Sequence, residues 1–240
     1  MKSEVFNEDC MVGMARYPDK YFDLAIVDPP YGVKRLSTNE NRDPNSKFRR
    51  SMAKMVDSAR KWNSDVPDEK YFTELFRVSK EQIVWGANNF ILPPSEYFCI
   101  WDKKQTVDNF ASAEYAWVSM NEWKKPAKVF TYQIHAANAA DDKIHPTQKP
   151  VKLYKWILDN YAVCKHCKNE GGFYEDVVGD GGSRMYVDCE SCNVAEFGKP
   201  KILDTHLGSG SSRIACHERG FDFTGFELDK DYFEAAEKRY

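Results

Sequence analysis

The chain has 240 residues, 42% of them hydrophobic, with 13 Gly and 11 Pro, which is enough to bury one domain core and excludes wholesale disorder or a collagen-like repeat. No run of about 18 apolar residues occurs and the N-terminus lacks an apolar signal stretch, so neither a membrane span nor a secretory leader is expected. The net charge of −3 announces no nucleic-acid partner by itself, and seven cysteines without a secretory context point to free thiols or metal rather than disulfides.

Leu24–Val27 is a short apolar run of the kind buried on both faces of a parallel sheet. Asp28-Pro29-Pro30-Tyr31 ends it, because proline has no N–H for a ladder. Residues 32–61 are polar and aperiodic and read as a long loop. The spacing of Tyr71, Phe72, Leu75, Phe76 and Val78 predicts a helix over 68–80. Residues 82–86, 97–102 and 113–118 read as strands. Residues 121–149 are basic and irregular. Pro150 opens a helix over 151–158. Residues 163–199 carry two CxxC pairs and look foreign to the rest. Strand 201–204 then feeds a Gly/Ser turn, a helix over 213–219, a strand over 221–227 and a final helix from near Asp229. Strands alternating with helices imply an α/β, Rossmann-like doubly wound sheet, mostly parallel.

Asp204-x-x-x-Gly208-Ser209-Gly210, with Glu227 ending the next strand, has the layout of a nucleotide site. Glycines let a ligand approach the backbone, the helix start offers free N–H groups, and an acid about 20 residues on can accept both ribose hydroxyls. The spacing is neither the GxGxxG fingerprint nor a P-loop. It suits S-adenosylmethionine, which carries no phosphate.

Asp28-Pro29-Pro30-Tyr31 lies at the carboxyl end of a strand, where open α/β sheets bind ligands. With the Gly/Ser turn, this chain resembles the amino-group DNA methyltransferases, which methylate adenine N6 or cytosine N4. The resemblance implies that Asp28, Pro29, Pro30 and Tyr31 form the catalytic loop, with Asp28 and the Pro29 carbonyl accepting hydrogen bonds from an exocyclic amine and Tyr31 stacking on the extruded base. Asn7-Glu8-Asp9-Cys10 resembles the segment that precedes this loop in the family, and His145-Pro146-Thr147-Gln148-Lys149-Pro150 the motif before its first helix. The catalytic loop comes first and the cofactor loop last, an order that resembles the permuted β class. The resemblance implies a seven-stranded class I methyltransferase sheet and an S-adenosylmethionine site. That site draws on Asp9, Cys10, Asp28, His145, Thr147, Gln148, Lys149, Asp204, Thr205, Leu207, Gly208, Ser209, Gly210, Ser211, Glu227 and Leu228. Aspartate at the head of the loop leans towards adenine N6. Cytosine N4, and a non-catalytic DNA-binding module that keeps the fold, stay open as alternatives.

Cys164-x-x-Cys167 and Cys189-x-x-Cys192 flank Gly179-Asp180-Gly181-Gly182, a hairpin turn. Paired CxxC knuckles around a hairpin form a zinc-ribbon pattern, and four thiolates leave no open position, so the expected Zn²⁺ is structural. The chain therefore reads as a methyltransferase domain, 1–162 and 200–240, interrupted by a ribbon-like insertion, 163–199. Residues 34–61 carry six net positive charges on a remainder of −9. Lys34, Arg35, Arg42, Lys47, Arg49 and Arg50 in this stretch, and Lys124, Lys125 and Lys128 in a short recognition region over 121–144, are the expected contacts to double-stranded DNA. The resemblance also implies a homodimer and a cytoplasmic enzyme of bacterial or phage origin. It leaves open a cognate restriction endonuclease as a partner.

Overall fold

The computed structural model describes residues 1–32, 66–106, 111–119, 127–133, 143–145, 147–162 and 199–240, together with the backbone of two strands at 172–176 and 184–188. In chain order the elements begin β1 (Ser3–Phe6), α1 (Cys10–Met14), β2 (Phe22–Val27), α2 (Glu69–Val78), β3 (Ser79–Trp85), β4 (Phe98–Asp102), β5 (Ala113–Val118) and β6 (Ala127–Thr131). They continue with α3 (Val151–Ile157), β7 (Gly172–Asp176), β8 (Arg184–Asp188), β9 (Lys201–Asp204), α4 (Ser211–Arg219), β10 (Asp222–Phe226) and α5 (Lys230–Arg239).

Eight of the described strands form one sheet in the order β1-β10-β9-β2-β3-β5-β4-β6. Every pairing is parallel except the two that β5 makes, with β3 and with β4. The expected strand count of seven is thus corrected to eight. The extra edge strand is β6, inside the stretch expected to be irregular; it pairs along β4 from Phe98↔Ala127 to Asp102↔Thr131. Its residues alternate between exposed and half-buried, and Ala-Lys-Val-Phe-Thr offers no apolar run to read. The opposite edge strand, β1, is half-buried throughout and equally inconspicuous.

Alternation along the central strands explains why helices cover both faces. Leu24, Ile26, Ile83, Trp85 and Ile202 point into one core with Leu153, Ile157 and Ala215 from α3 and α4. Ala25, Val27, Val84 and Leu203 point into the other with Met14, Tyr71, Phe72, Leu75 and Val78 from α1 and α2. Asp68 caps α2 by accepting from the Tyr71 amide at 3.1 Å, and Asp229 caps α5 by accepting from Asp231 and Tyr232 at 2.9 and 3.2 Å. No described helix is long and apolar enough to cross a membrane.

Register places the site. Gly225 pairs with Asp204, Ala25 with Leu203 and Val27 with Val84, so Glu227, Asp204, Asp28 and Gly86 leave the sheet along one carboxyl edge. Apart from this sheet, β7 and β8 form an antiparallel hairpin in which Gly172 pairs with Asp188. The four cysteines of the expected zinc ribbon lie just outside its paired ends in sequence, and outside the described residues.

Candidate active site

The Asp28 carboxylate heads the loop after β2 and has a partner on each oxygen. Oδ1 accepts from the Tyr31 hydroxyl, and Oδ2 accepts from the Lys149 ammonium. Lys149 is almost wholly enclosed, with 3% of its side chain exposed. Its ammonium also lies 3.2 Å from Glu114 Oε2 and 5.4 Å from the centre of the Trp85 ring. Glu114 in turn pairs with Lys103, which lies over the Trp101 ring at 5.0 Å. Charges therefore alternate along a row, Lys103, Glu114, Lys149, Asp28, that ends on the neutral Tyr31 hydroxyl. Burial and the Asp28 charge push the Tyr31 phenol far up, so it stays a hydrogen-bond donor. Burial pushes the Glu114 carboxyl up, but Lys149 and Lys103 outweigh it and hold it below the usual range.

Tyr31 is seated by its neighbours. Its ring meets Phe90 at 6.0 Å between centroids, and Phe90 meets Phe72 at 5.3 Å. Against the ring also lies Gly86, with a φ of +66°, where a Cβ would run into the Tyr31 ring. Asn89 fixes that turn by donating to the Gly86 carbonyl at 2.9 Å.

The Gly/Ser turn stands beside this row. Gly208 and Gly210 have φ of +52° and +72°, and Gly210 caps α4 in the left-handed conformation. Glu227 accepts from the Gly208 amide at 2.8 Å and from the Asp229 amide at 2.9 Å. Asp204 accepts from Ser212 Oγ at 2.5 Å and from the His206 amide at 3.0 Å. Burial, with the charges of Asp28 and Glu227 added, pushes Asp204 up to about 7. The His145 ring stands 4.3 Å from the Tyr232 ring and faces Gly208. Burial and the Lys149 charge lower His145 to about 4, so it is neutral near pH 7.

The other residues named from sequence have distinct places. Asp9 caps α1, accepting from the Met11 amide at 2.7 Å. Cys10 is half-buried, and burial raises its thiol to about 12. Thr205 meets the Tyr71 hydroxyl at 2.7 Å. Leu207 is buried, whereas Leu228 is 70% exposed. The Ser209 and Ser211 hydroxyls are 3.0 Å apart, and Arg239 donates to Ser211 Oγ and the Ser209 carbonyl. Thr147 Oγ1 lies 3.2 Å from His145 Nδ1, and Gln148 accepts from the Ile144 amide at 3.0 Å. Lys149 and Asp28, both named with the cofactor group, are bonded to each other. Lys128 donates to Asn160 at 3.1 Å and lies over the Tyr161 ring, turned against the turn that follows α3. The remaining expected DNA contacts, Lys34, Arg35, Arg42, Lys47, Arg49, Arg50, Lys124 and Lys125, lie outside the described residues. Among the described residues no group of three or more His, Cys, Asp or Glu side chains is placed to hold a metal ion.

Sequence reasoning missed Glu114, Lys103, Phe90 and the role of Gly86. The available signals were slight: an acid near the start of an apolar strand, a base just after another, and a glycine ending a third.

No family model matches the chain. Among curated proteins it is similar to the type II methyltransferase M.HinfI of Haemophilus influenzae, 23% identical over 266 aligned positions that span 98% of this chain and 67% of that protein. Among solved structures, M1.HpyAVI in complex with SAM superposes with a TM-score of 0.53 at 14% identity, covering the whole of both chains. The cytosine-N4-specific PvuII DNA methyltransferase superposes with a TM-score of 0.51 at 12% identity, covering all of this chain and 86% of that one. The chain has the methyltransferase fold. In this version of that fold, β5 is the single antiparallel strand among the eight, and the Asp28 and Gly208 loops occupy neighbouring strand ends.

Proposed function

We propose that this protein transfers a methyl group from S-adenosylmethionine to an exocyclic amine of a base in DNA, with adenine N6 as the preferred acceptor. The observation that carries this reading is the Asp28 carboxylate, held between Tyr31 and Lys149 beside a glycine turn backed by Glu227. The similarity to M.HinfI over nearly the whole chain supports it.

The residues present fit S-adenosylmethionine. Asp28, Asp204 and Glu227 act on one another electrostatically around the turn, a donor set that favours a cationic ligand with hydroxyls over a phosphate. Glu227 would hold the ribose hydroxyls, and the Gly208–Gly210 turn and His145 would flank the amino-acid end. When bound, the group supplies a methyl on a positively charged sulfur, ready for attack by a nitrogen. Asp28 would accept a hydrogen bond from one amine N–H and the Pro29 carbonyl a hydrogen bond from the other. Those bonds draw the nitrogen lone pair out of conjugation and orient it in line. Tyr31, supported by Phe90, gives the extruded base a surface to stack on, offsetting part of an unstacking cost of a few kcal/mol.

A second reading, cytosine N4, is favoured by the likeness to the PvuII enzyme. The further parts of the proposal are a homodimer, DNA contacts from the basic stretch over 34–61, and a structural Zn²⁺ on Cys164, Cys167, Cys189 and Cys192. Support for the last is the β7–β8 hairpin, whose outer ends pair between the two knuckles.

The deciding experiment exposes unmethylated genomic DNA to the protein with S-adenosylmethionine and maps modified bases by single-molecule sequencing and mass spectrometry. N6-methyladenine at one recurrent sequence is the expected outcome. N4-methylcytosine would select the second reading, and no modified base at all would overturn both.

A further inference from the structure

We propose that Glu114 is a positioning residue, the carboxylate that receives the Lys149 ammonium when a target base takes its place on Asp28. This rests on the methyl-transfer reading above. Both Asp28 oxygens already accept hydrogen bonds, one from Tyr31 and one from Lys149. An amine entering the loop needs one of those oxygens, so one donor has to give way. Tyr31 belongs to the same loop and forms its stacking surface. Lys149 is the donor that can leave, but it is enclosed and charged, and an ammonium left unpaired there is costly.

Glu114 removes that cost. Its Oε2 is buried and makes no well-aligned hydrogen bond among the described residues, yet sits in ion-pair range of Lys149 at 3.2 Å. Its other oxygen is held by Lys103, which fixes the carboxylate in place. Lys149 thus stands between two carboxylates, bonded to one and adjacent to an open acceptor on the other. Rotation about its terminal side-chain bonds exchanges them while the Trp85 ring remains within reach of the ammonium. The charges stay matched throughout. Lys149 keeps a partner, and the base amine replaces it as the donor to Asp28. In the absence of a base, the same lysine keeps the loop closed on itself.

The test uses a duplex with a fluorescent base analogue at the methylated position, reading extrusion as emission and methyl transfer as tritium incorporation in the same samples. Wild-type protein is read first, and a lack of transfer there overturns the function and this role with it. With wild-type transfer in hand, Glu114→Gln is expected to lower both extrusion and kcat by about tenfold, with the KM for S-adenosylmethionine little changed. Glu114→Asp recovers part of the loss. Lys149→Met removes the competing donor, and in that background Glu114→Gln changes extrusion by no more than about twofold. The same loss in both backgrounds would show that Glu114 acts independently of Lys149 and would overturn the proposal, as would wild-type extrusion by Glu114→Gln. If circular dichroism shows that Glu114→Gln does not fold, Glu114→Asp in the two backgrounds makes the same comparison.

Discussion

Gly86 and Tyr31 occupy space that only one of them can fill with a side chain. The left-handed turn at Gly86 lets its backbone lie directly against the Tyr31 ring, and any Cβ there would displace the ring from Phe90 and from Asp28. Gly86→Ala should therefore lower stability by about 1–2 kcal/mol through its positive φ alone. Methyl transfer should fall further than unfolding explains. Urea unfolding midpoints and kcat, measured at a temperature where the variant stays folded, separate the two effects.

Asp28→Asn keeps the shape of the loop and removes its charge. Lys149 retains Glu114 as a partner, so the variant should fold. If the proposed methyl transfer holds, loss of this acceptor should reduce kcat by about a hundredfold or more. Binding of S-adenosylmethionine, followed by calorimetry, should change by only a few-fold if Glu227 and the glycine turn carry most of the affinity.

Three buried groups should contribute to the pH dependence of stability between about pH 6.5 and 4. Burial holds His145 and His206 near 4 in the folded chain, against 6.5 for an exposed histidine, and holds Asp204 near 7, against 3.8 for an exposed aspartate. Between about pH 6.5 and 4 the unfolded chain gains two histidine protons that the folded chain refuses. The folded chain keeps one Asp204 proton that the unfolded chain has lost. The histidines therefore cost stability as pH falls, and Asp204 returns part of it. From these three groups the balance is a net loss of stability as the pH falls across that window. Denaturant titrations should show a steeper fall for Asp204→Asn and a shallower one for His145→Gln than for the wild-type chain.

Reversing the charge at Arg49 and Arg50 removes four units of favourable charge from the basic stretch over 34–61. Affinity for duplex DNA, measured by fluorescence anisotropy, should drop by more than about tenfold. Binding of S-adenosylmethionine should be unchanged, because those residues are not part of the glycine turn. Equal DNA affinity in the variant would remove this stretch from the DNA interface.

The proposed Zn²⁺ predicts one metal equivalent per chain by elemental analysis. Cys164→Ser with Cys167→Ser should abolish it. The midpoint of thermal unfolding of the insertion should fall on chelation, since a structural zinc site contributes its binding energy to folding.

The Asp28-Pro29-Pro30-Tyr31 loop, the glycine turn and Glu227 could be placed at strand ends from the sequence for one physical reason. Parallel strands buried on both faces read as short apolar runs, and these runs stop where the ligand-binding edge begins. Glu114 was not legible because β5 runs the other way. Its first residues, rather than its last, reach the edge where β2 and β3 end, and nothing local in Ala-Glu-Tyr-Ala-Trp-Val encodes that direction. Lys149 was singled out by its motif, but its partner is 121 positions away and only the fold brings the two together. The edge strands β1 and β6 escaped because a strand covered on one side has no apolar run to announce it.

The placement of Lys149 over Trp85 has an optical consequence. The indole is fully buried and its Nε1–H has no hydrogen-bond partner, so water and hydrogen bonding do not set the energy of its excited state. A nearby full charge does. When the ammonium shifts, the field across the ring shifts with it, and the colour of the Trp85 emission moves accordingly. With the other five tryptophans replaced, the colour of the Trp85 emission is expected to report which donor holds Asp28.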